Sequence, residues 1–194
     1  MLDPGNVALV SYITGPLGRF LDSLRLELTP DSRPRAHVTI LPPRPAPNFL
    51  GATLQRIAEE DCAGFPAFEI ELDFVGVFPV SNVLYLDVVR GAEELGRLHH
   101  RINRGILEYA SGYPYQPHAT LAQGLNEEQV CNALPVALRA WRQYSGPRSF
   151  VVDTISLVRQ LGPENWGDLA RVTLETPDCI MAASARNAHH MSTL

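Results

Sequence analysis

Two tetrapeptides of one pattern, His37-Val38-Thr39-Ile40 and His118-Ala119-Thr120-Leu121, lie 81 residues apart, each at the same place in an order of elements that occurs twice. Val7 to Thr14 reads as a buried strand, broken by Gly15-Pro16. Leu17, Phe20, Leu21, Leu24 and Leu28 then recur at helical spacing. Pro30 and Pro34 bracket a loop, and Ala36 to Leu41 is a short strand. The run Pro42 to Pro47 is too proline-rich for a strand ladder and reads as an extended surface loop. A helix with Leu50, Leu54, Ile57 and Ala58 on one face follows. Phe68, Ile70, Leu72 and Phe74 alternate with Glu69, Glu71 and Asp73, the period of a half-exposed strand, with a bulge expected near Gly76.

After a hairpin turn at Val80-Ser81-Asn82 the same order returns. Val83 to Val89 is a strand, and Leu95, Leu98, Ile102 and Ile106 mark a helix. Gln116 to Ala122 is a short strand. Asn126 with Gln129 is a capping box that opens a helix toward Tyr144, which Pro135 is expected to kink or divide. Phe150 to Val158 and Leu169 to Leu174 are the last two strands. The expected domain is residues 1–176, in halves of about 5–79 and 83–176, and residues 177–194 read as a disordered tail.

Side chains alternate along a strand, so His37 and Thr39 share one face while Val38 and Ile40 share the other. His118 and Thr120 stand in the same way against Ala119 and Leu121. Each half therefore offers one imidazole and one hydroxyl on a polar face. If a pseudo-twofold axis relates the halves, the two histidines converge on one cleft. Two facing imidazoles suit phosphodiester chemistry, because a group titrating near 6.5 can be neutral in one ring and protonated in the other. The neutral ring takes a proton from the attacking oxygen, and the protonated ring gives one to the leaving oxygen. Thr39 and Thr120 can donate to the non-bridging phosphate oxygens. Which histidine is base and which acid is open at this point.

Composition narrows the field. None of the 194 residues is lysine; the 16 basic side chains are all arginine, against 21 acidic ones, for a net charge of −5. That excludes a Walker-A phosphate loop, Schiff-base chemistry, lysine-adenylate ligation and protein-kinase chemistry. The acidic balance argues against a sequence-blind coat on DNA or RNA, and no DNA partner is expected. Ser32 to Ala58 holds Arg33, Arg35, Arg44 and Arg56 with no acidic residue, so anion attraction is expected there, with Arg44 a candidate contact. Tyr113 and Tyr115 offer flat surfaces for a base. No metal or cofactor is implied. Cys62, Cys131 and Cys179 form no disulfide or zinc pattern and read as inert thiols in a reducing compartment. With no signal peptide or membrane span legible, a cytoplasmic protein, and a monomer, is expected. His99-His100 reads as a solvated helix face, and Trp166 as either a lid or a packing anchor.

The paired His-x-Thr-x motifs, with Tyr115-Gln116-Pro117 before the second, resemble the two-histidine phosphoesterase superfamily, in its 2′-5′ RNA ligase-like and cyclic phosphodiesterase branch. The resemblance covers most of residues 5–176. It implies a bilobal α+β fold, with antiparallel sheets lining a central cleft and helices outside. It implies metal- and ATP-independent chemistry on 2′,3′-cyclic phosphates or 2′-5′ linkages of RNA or small nucleotides. His37 and His118 would be the acid-base pair and Thr39 and Thr120 the oxygen donors. Tyr12, Arg44 and Tyr115 would complete the substrate pocket. A non-catalytic module that binds RNA ends or nucleotides on the same fold is the competing reading.

Overall fold

Leucine periodicity and turn residues place the helices where the sequence suggests. The computed structural model describes residues 5–30, 35–45, 56, 59–110, 112–162 and 165–176. Strand β1 (Asn6–Tyr12) is followed by helix α1 (Gly15–Leu28), which opens with Pro16 in its first turn and buries Leu17, Leu21, Leu24 and Arg25. Helix α2 (Ala92–Ile102) starts after Gly91, with Glu93 and Glu94 in its first turn and basic residues in its last, matching the helix dipole. Helix α3 (Glu127–Gln143) opens with the expected capping box: Gln129 N–H donates to the Asn126 side chain at 2.8 Å and Asn126 N–H to the Gln129 side chain at 2.9 Å. It is not divided at Pro135. Pro135 and Cys131 are both exposed, so the carbonyl that the proline leaves unpaired faces water.

The remaining strands are β2 (His37–Pro45), β3 (Phe68–Phe78), β4 (Val83–Arg90), β5 (His118–Ala122), β6 (Ser149–Val152), β7 (Thr154–Gly162) and β8 (Asn165–Thr173). Two expectations are corrected. β2 continues through the proline run, pairing Arg44 with Val7 and Pro45 with Asn6. Register shifts on either side of Leu9 give β2 extra residues there, so Pro42 and Pro43 need no ladder hydrogen bond. The C-terminal region holds three strands rather than two, because Asp153 separates β6 from β7 and each takes a different neighbour. The disturbance in β3 lies between Leu72 and Val75, just before Gly76. The helix expected around Leu50 and the tail from 177 lie outside the described residues.

The eight strands form one antiparallel sheet in the order β6-β3-β4-β5-β2-β1-β7-β8. That order is symmetric about the β5/β2 junction: β5 answers β2, β4 answers β1, β3 answers β7 and β6 answers β8. The two lobes are thus not the two halves of the sequence. β3, from the first half, completes the lobe of β4 and β5, and β7, from the second, completes that of β1 and β2. The helices cross in the same way, since α1 packs on β5 and α2 on β2.

One face of this sheet carries the main core. Leu9, Val38, Ile40, Ile70, Leu72, Leu84, Leu86, Ala119 and Leu121 meet Leu17, Leu21, Leu95, Leu98 and Trp141 from the helices. Among the described residues, the other face carries a small cluster of Ala8, Val10 and Val158, flanked by Tyr12 and Trp166. It is left open for chemistry. No helix among the described residues is long and apolar enough to cross a membrane.

Gly18 sets how closely α1 lies on the end of β1. A Cβ there would overlap the Ile13 carbonyl oxygen and lie 2.8 Å from its carbon, and both atoms are backbone. Gly18→Ala is expected to lower the unfolding free energy by about 1–3 kcal/mol. The readout is a lower urea midpoint at unchanged slope. A midpoint equal to that of the wild type would mean that α1 can withdraw without loss.

Candidate active site

Val38 pairs with Ala119 across the antiparallel junction of β2 and β5. That register sets His37 across from Thr120 and Thr39 across from His118. Val38, Ile40, Ala119 and Leu121 are buried under the helices, so all four polar side chains project from the open face. The histidines form a diagonal pair, with backbones about 7–8 Å apart. The space above them is a cleft of about 1140 Å³ lined by His37, Thr39, His118 and Thr120 together.

Each imidazole is held in the same way. His37 Nδ1 lies 2.6 Å from the Arg35 carbonyl oxygen, and His118 Nδ1 lies 2.7 Å from that of Gln116, in both cases two residues upstream. A carbonyl can only accept, so Nδ1 carries the hydrogen and Nε2 is the basic nitrogen of the neutral ring. Burial lowers the proton affinity of both rings. His37 is brought down to about 4 by burial; the Arg35 carbonyl opposes this, while Arg25 and His118 add to it. His118 is lowered chiefly by burial, opposed by the Gln116 carbonyl and by Asp87.

Aromatic side chains wall the cleft on both sides. On one, Phe78 lines the cleft and is backed by Tyr85, stacked on it at 4.0 Å, and the two rings meet the His118 ring edge-on at 4.9 and 5.6 Å. Gly76 gives the Tyr85 ring its seat, because a Cβ there would come within 2.6 Å of Tyr85 Cζ. On the other side, Tyr12 meets His37 edge-on at 6.4 Å and donates its hydroxyl to Asp168 at 2.6 Å. Arg35 lies 3.6 Å above the Tyr12 ring and pairs with Asp168 at 3.2 Å, as Arg171 does at 2.8 Å. Burial and the Asp168 contact keep the Tyr12 phenol protonated. Trp166 lines this wall and packs on the Ala8–Val10 cluster.

Of the residues singled out in the sequence, His37, Thr39, His118, Thr120, Tyr12 and Tyr115 all line the cleft. Arg44 does not, and the expected substrate contact there is corrected. It is 4% exposed and donates to Pro42 O at 3.0 Å, to Asn103 Oδ1 at 2.6 Å and to Leu107 O. Its role is to tie the end of β2 to the turn after α2. Tyr115 is less open than a stacking platform would be: its ring stacks on His99 at 3.9 Å and its hydroxyl donates to Thr39 O at 2.8 Å. His99 is therefore no solvated residue, and its Nδ1 also lies 2.7 Å from Ile40 O. Cys62 is buried, which pushes its thiol up to about 12 and leaves it unreactive. Among the described residues, no three His, Cys, Asp or Glu side chains gather closely enough to hold a metal ion.

Three contributors escaped the sequence reading. Arg25 sits on the buried face of α1, yet lines the cleft. Asp87 stands opposite His118 on the β4–β5 ladder. Asp168 lies in a region read only as loop and strand. The one available signal was Arg25 itself, a charge four residues after Leu21 within the leucine stripe of an amphipathic helix.

Comparison with known proteins agrees with this arrangement. The sequence profile of the 2′-5′ RNA ligase superfamily matches residues 15–164. A Bacillus licheniformis protein named as a candidate phosphoesterase is 30% identical over 93 residues, 48% of this chain and 52% of its own. The match thus spans about half the length of that relative. A similarly named protein of Halalkalibacterium halodurans is 24% identical over 170 residues, 83% of this chain and 92% of its own. Among solved structures, apo E. coli LigT aligns with a TM-score of 0.56 at 19% identity, over 89% of this chain and 98% of that one. LigT has also been solved with 3′-AMP and with phosphate. At such identities the structures bear on the fold alone. The profile carries the family, and by that match over most of its length the chain belongs to the 2′-5′ RNA ligase superfamily of two-histidine phosphoesterases.

Proposed function

We propose that this protein is a phosphodiesterase that opens 2′,3′-cyclic phosphate ends of RNA or nucleotides without metal or ATP. The observation that carries the reading is the pair of imidazoles, each with its tautomer fixed by a backbone carbonyl, facing one cleft across a single strand junction. One ring removes a proton from water as the oxygen attacks phosphorus. The other protonates the ribose oxygen that leaves. Thr39 and Thr120 stand beside the rings to donate to the non-bridging oxygens, where negative charge gathers. Aromatic walls on both sides suit stacked bases. The binding of 3′-AMP and phosphate by LigT supports a ligand of this class. With the 5′-hydroxyl of a second strand in place of water, the same two proton transfers would join the ends through a 2′-5′ linkage.

Replacing either histidine removes one of the two transfers. His37→Ala and His118→Ala are each expected to reduce turnover of a nucleoside 2′,3′-cyclic phosphate by about 10²–10⁴-fold. Near wild-type turnover in either variant would sink the mechanism. A wild-type protein that bound a 2′-phosphorylated nucleotide with no turnover would instead be a binding module.

The pH profile follows from the lowered affinities. Catalysis needs one ring neutral and one protonated. In the free protein His37 loses its proton near pH 4 and His118 below its ordinary 6.5. The bell of kcat/KM is therefore expected on the acid side, with its upper limb below pH 6.5. A bound phosphate anion favours imidazolium, so the bell of kcat should lie at higher pH than that of kcat/KM. Steady-state kinetics from pH 3.5 to 8.5 would test this, and a kcat/KM optimum above pH 7.5 would contradict it.

A further inference from the structure

The open face of the sheet is charged differently on its two lobes. On β8, Arg171 pairs with Ser156 of β7 and Asp168 with Val158, while Ile155, Leu157 and Val172 lie in the core. Arg171 and Asp168 therefore share the open face with Tyr12. Arg35, just ahead of β2, reaches the same place. Among the described residues, the open face of this lobe sets two guanidiniums against one carboxylate.

The other lobe has the opposite sign. Ile70, Leu72, Leu86 and Val88 lie in the core, so Glu69, Glu71 and Asp87 stand on the open face. Among the described residues, Arg90 answers them by pairing with Glu69 and Glu71. The Asp73–Arg148 pair is neutral as a whole. Between this lobe and the histidines, the cleft wall of Phe78, Pro79, Val80, Ser81 and Gln116 carries no charge. A phosphate chain leaving the histidines thus meets carboxylates in one direction and guanidiniums in the other.

The guanidiniums also have a fixed relation to the reacting centre. The Arg35 carbonyl holds His37 Nδ1. Its guanidinium lies 3.6 Å above the Tyr12 ring, and that ring is 6.4 Å from His37. Asp168 is held by the Tyr12 hydroxyl and meets both arginines. The side chains of Arg35 and Arg171 are 55% and 61% exposed, so both can turn donors toward a ligand. Ion pairs this exposed contribute little, and a phosphate can share the donors with Asp168. A guanidinium fork matches phosphate oxygens. The cleft, about 1140 Å³, also exceeds the roughly 300–1,000 Å³ of pockets for small ligands.

We propose, on the basis of the phosphodiesterase reading above, that Arg35 and Arg171 form a second anion site, which takes the phosphate on the 5′ oxygen of the reacting nucleotide. The cyclic phosphate lies over the histidines, and whatever precedes it crosses β1 and β7 toward β8. An RNA end carries that second phosphate as a phosphodiester, and a free nucleotide carries it as a 5′-monoester.

The test is calorimetric binding to the full chain of three ligands that end in a 3′-phosphate: 3′-AMP, adenosine 3′,5′-bisphosphate and the dinucleotide ApAp. At low salt, both ligands with a second phosphate should bind about tenfold or more tightly than 3′-AMP. The margin should shrink as salt rises. Arg171→Met should cut the margin about fivefold or more, Arg171→Lys should retain part of it, and Glu71→Gln on the other lobe should not change it. Tighter binding of ApAp than of the bisphosphate identifies an RNA end as the source, and the reverse order identifies a free nucleotide. Equal affinity of the wild type for all three ligands overturns the site, as does a margin that survives Arg171→Met or grows in Glu71→Gln. The wild-type comparison decides even if a variant fails to fold. Turnover of 2′,3′-cyclic AMP and of ApA with a 2′,3′-cyclic phosphate end is measured alongside. A binding margin without turnover of either leaves the anion site standing and removes the phosphodiesterase; turnover without a margin does the reverse.

Discussion

The pairing of Val38 with Ala119 decides where the chemistry can be. It joins two four-stranded lobes into one sheet and brings together two strands that lie 81 residues apart in the chain. Because the pairing is antiparallel, each histidine stands across from the other half's threonine. Because both paired residues are buried under helices, the four polar groups must face the open side. A one-residue slip would turn one His-Thr pair into the core. The register is therefore held by the same burial that stabilises the fold, and the site inherits its geometry from the core.

The crossing of elements between halves reinforces that junction. α1 belongs to the first half and packs on β5 of the second, while α2 belongs to the second and packs on β2 of the first. Braces follow the helices: Arg25 of α1 holds Thr120, His99 of α2 holds Ile40, and Tyr115, stacked on His99, holds Thr39. Each strand of the site is thus held by side chains from the other half, and neither half could supply a complete site alone. Rigid support of this kind is what proton transfer across a fixed gap requires.

Much of this was legible in the sequence, and the misses have physical causes. Period-two alternation placed His37, Thr39, His118 and Thr120 on one face, because burial of Val38, Ile40, Ala119 and Leu121 leaves strands of this kind little choice. Leucine spacing and the capping box located α1, α2 and α3. Arg44 was misjudged because the prolines around it were taken to end the strand. Had β2 been continued, Arg44 would have fallen on the face of Val38 and Ile40. Arg25 and Asp87 were missed for a different reason. Their importance lies in which strand they meet, and pairing between distant segments leaves no local mark. Tyr115 was seen as aromatic surface, but its partner His99 is on another element, so its covered face was invisible.

The lysine-free composition takes its meaning from Arg25. A positive charge buried beneath a two-histidine site must stay charged and hold its protein partners firmly. An ammonium on a flexible stem loses its proton readily when buried, whereas guanidinium remains protonated and offers donors in a fixed plane. One donor goes to the Thr120 carbonyl while the charge stays beside His37. The duplicated fold supplies two equivalent rings, each held by the backbone carbonyl two residues upstream. Each strand of the pair is braced through a carbonyl, Thr120 by Arg25 and Thr39 by the Tyr115 hydroxyl, and the symmetric backbone between them brings the rings together.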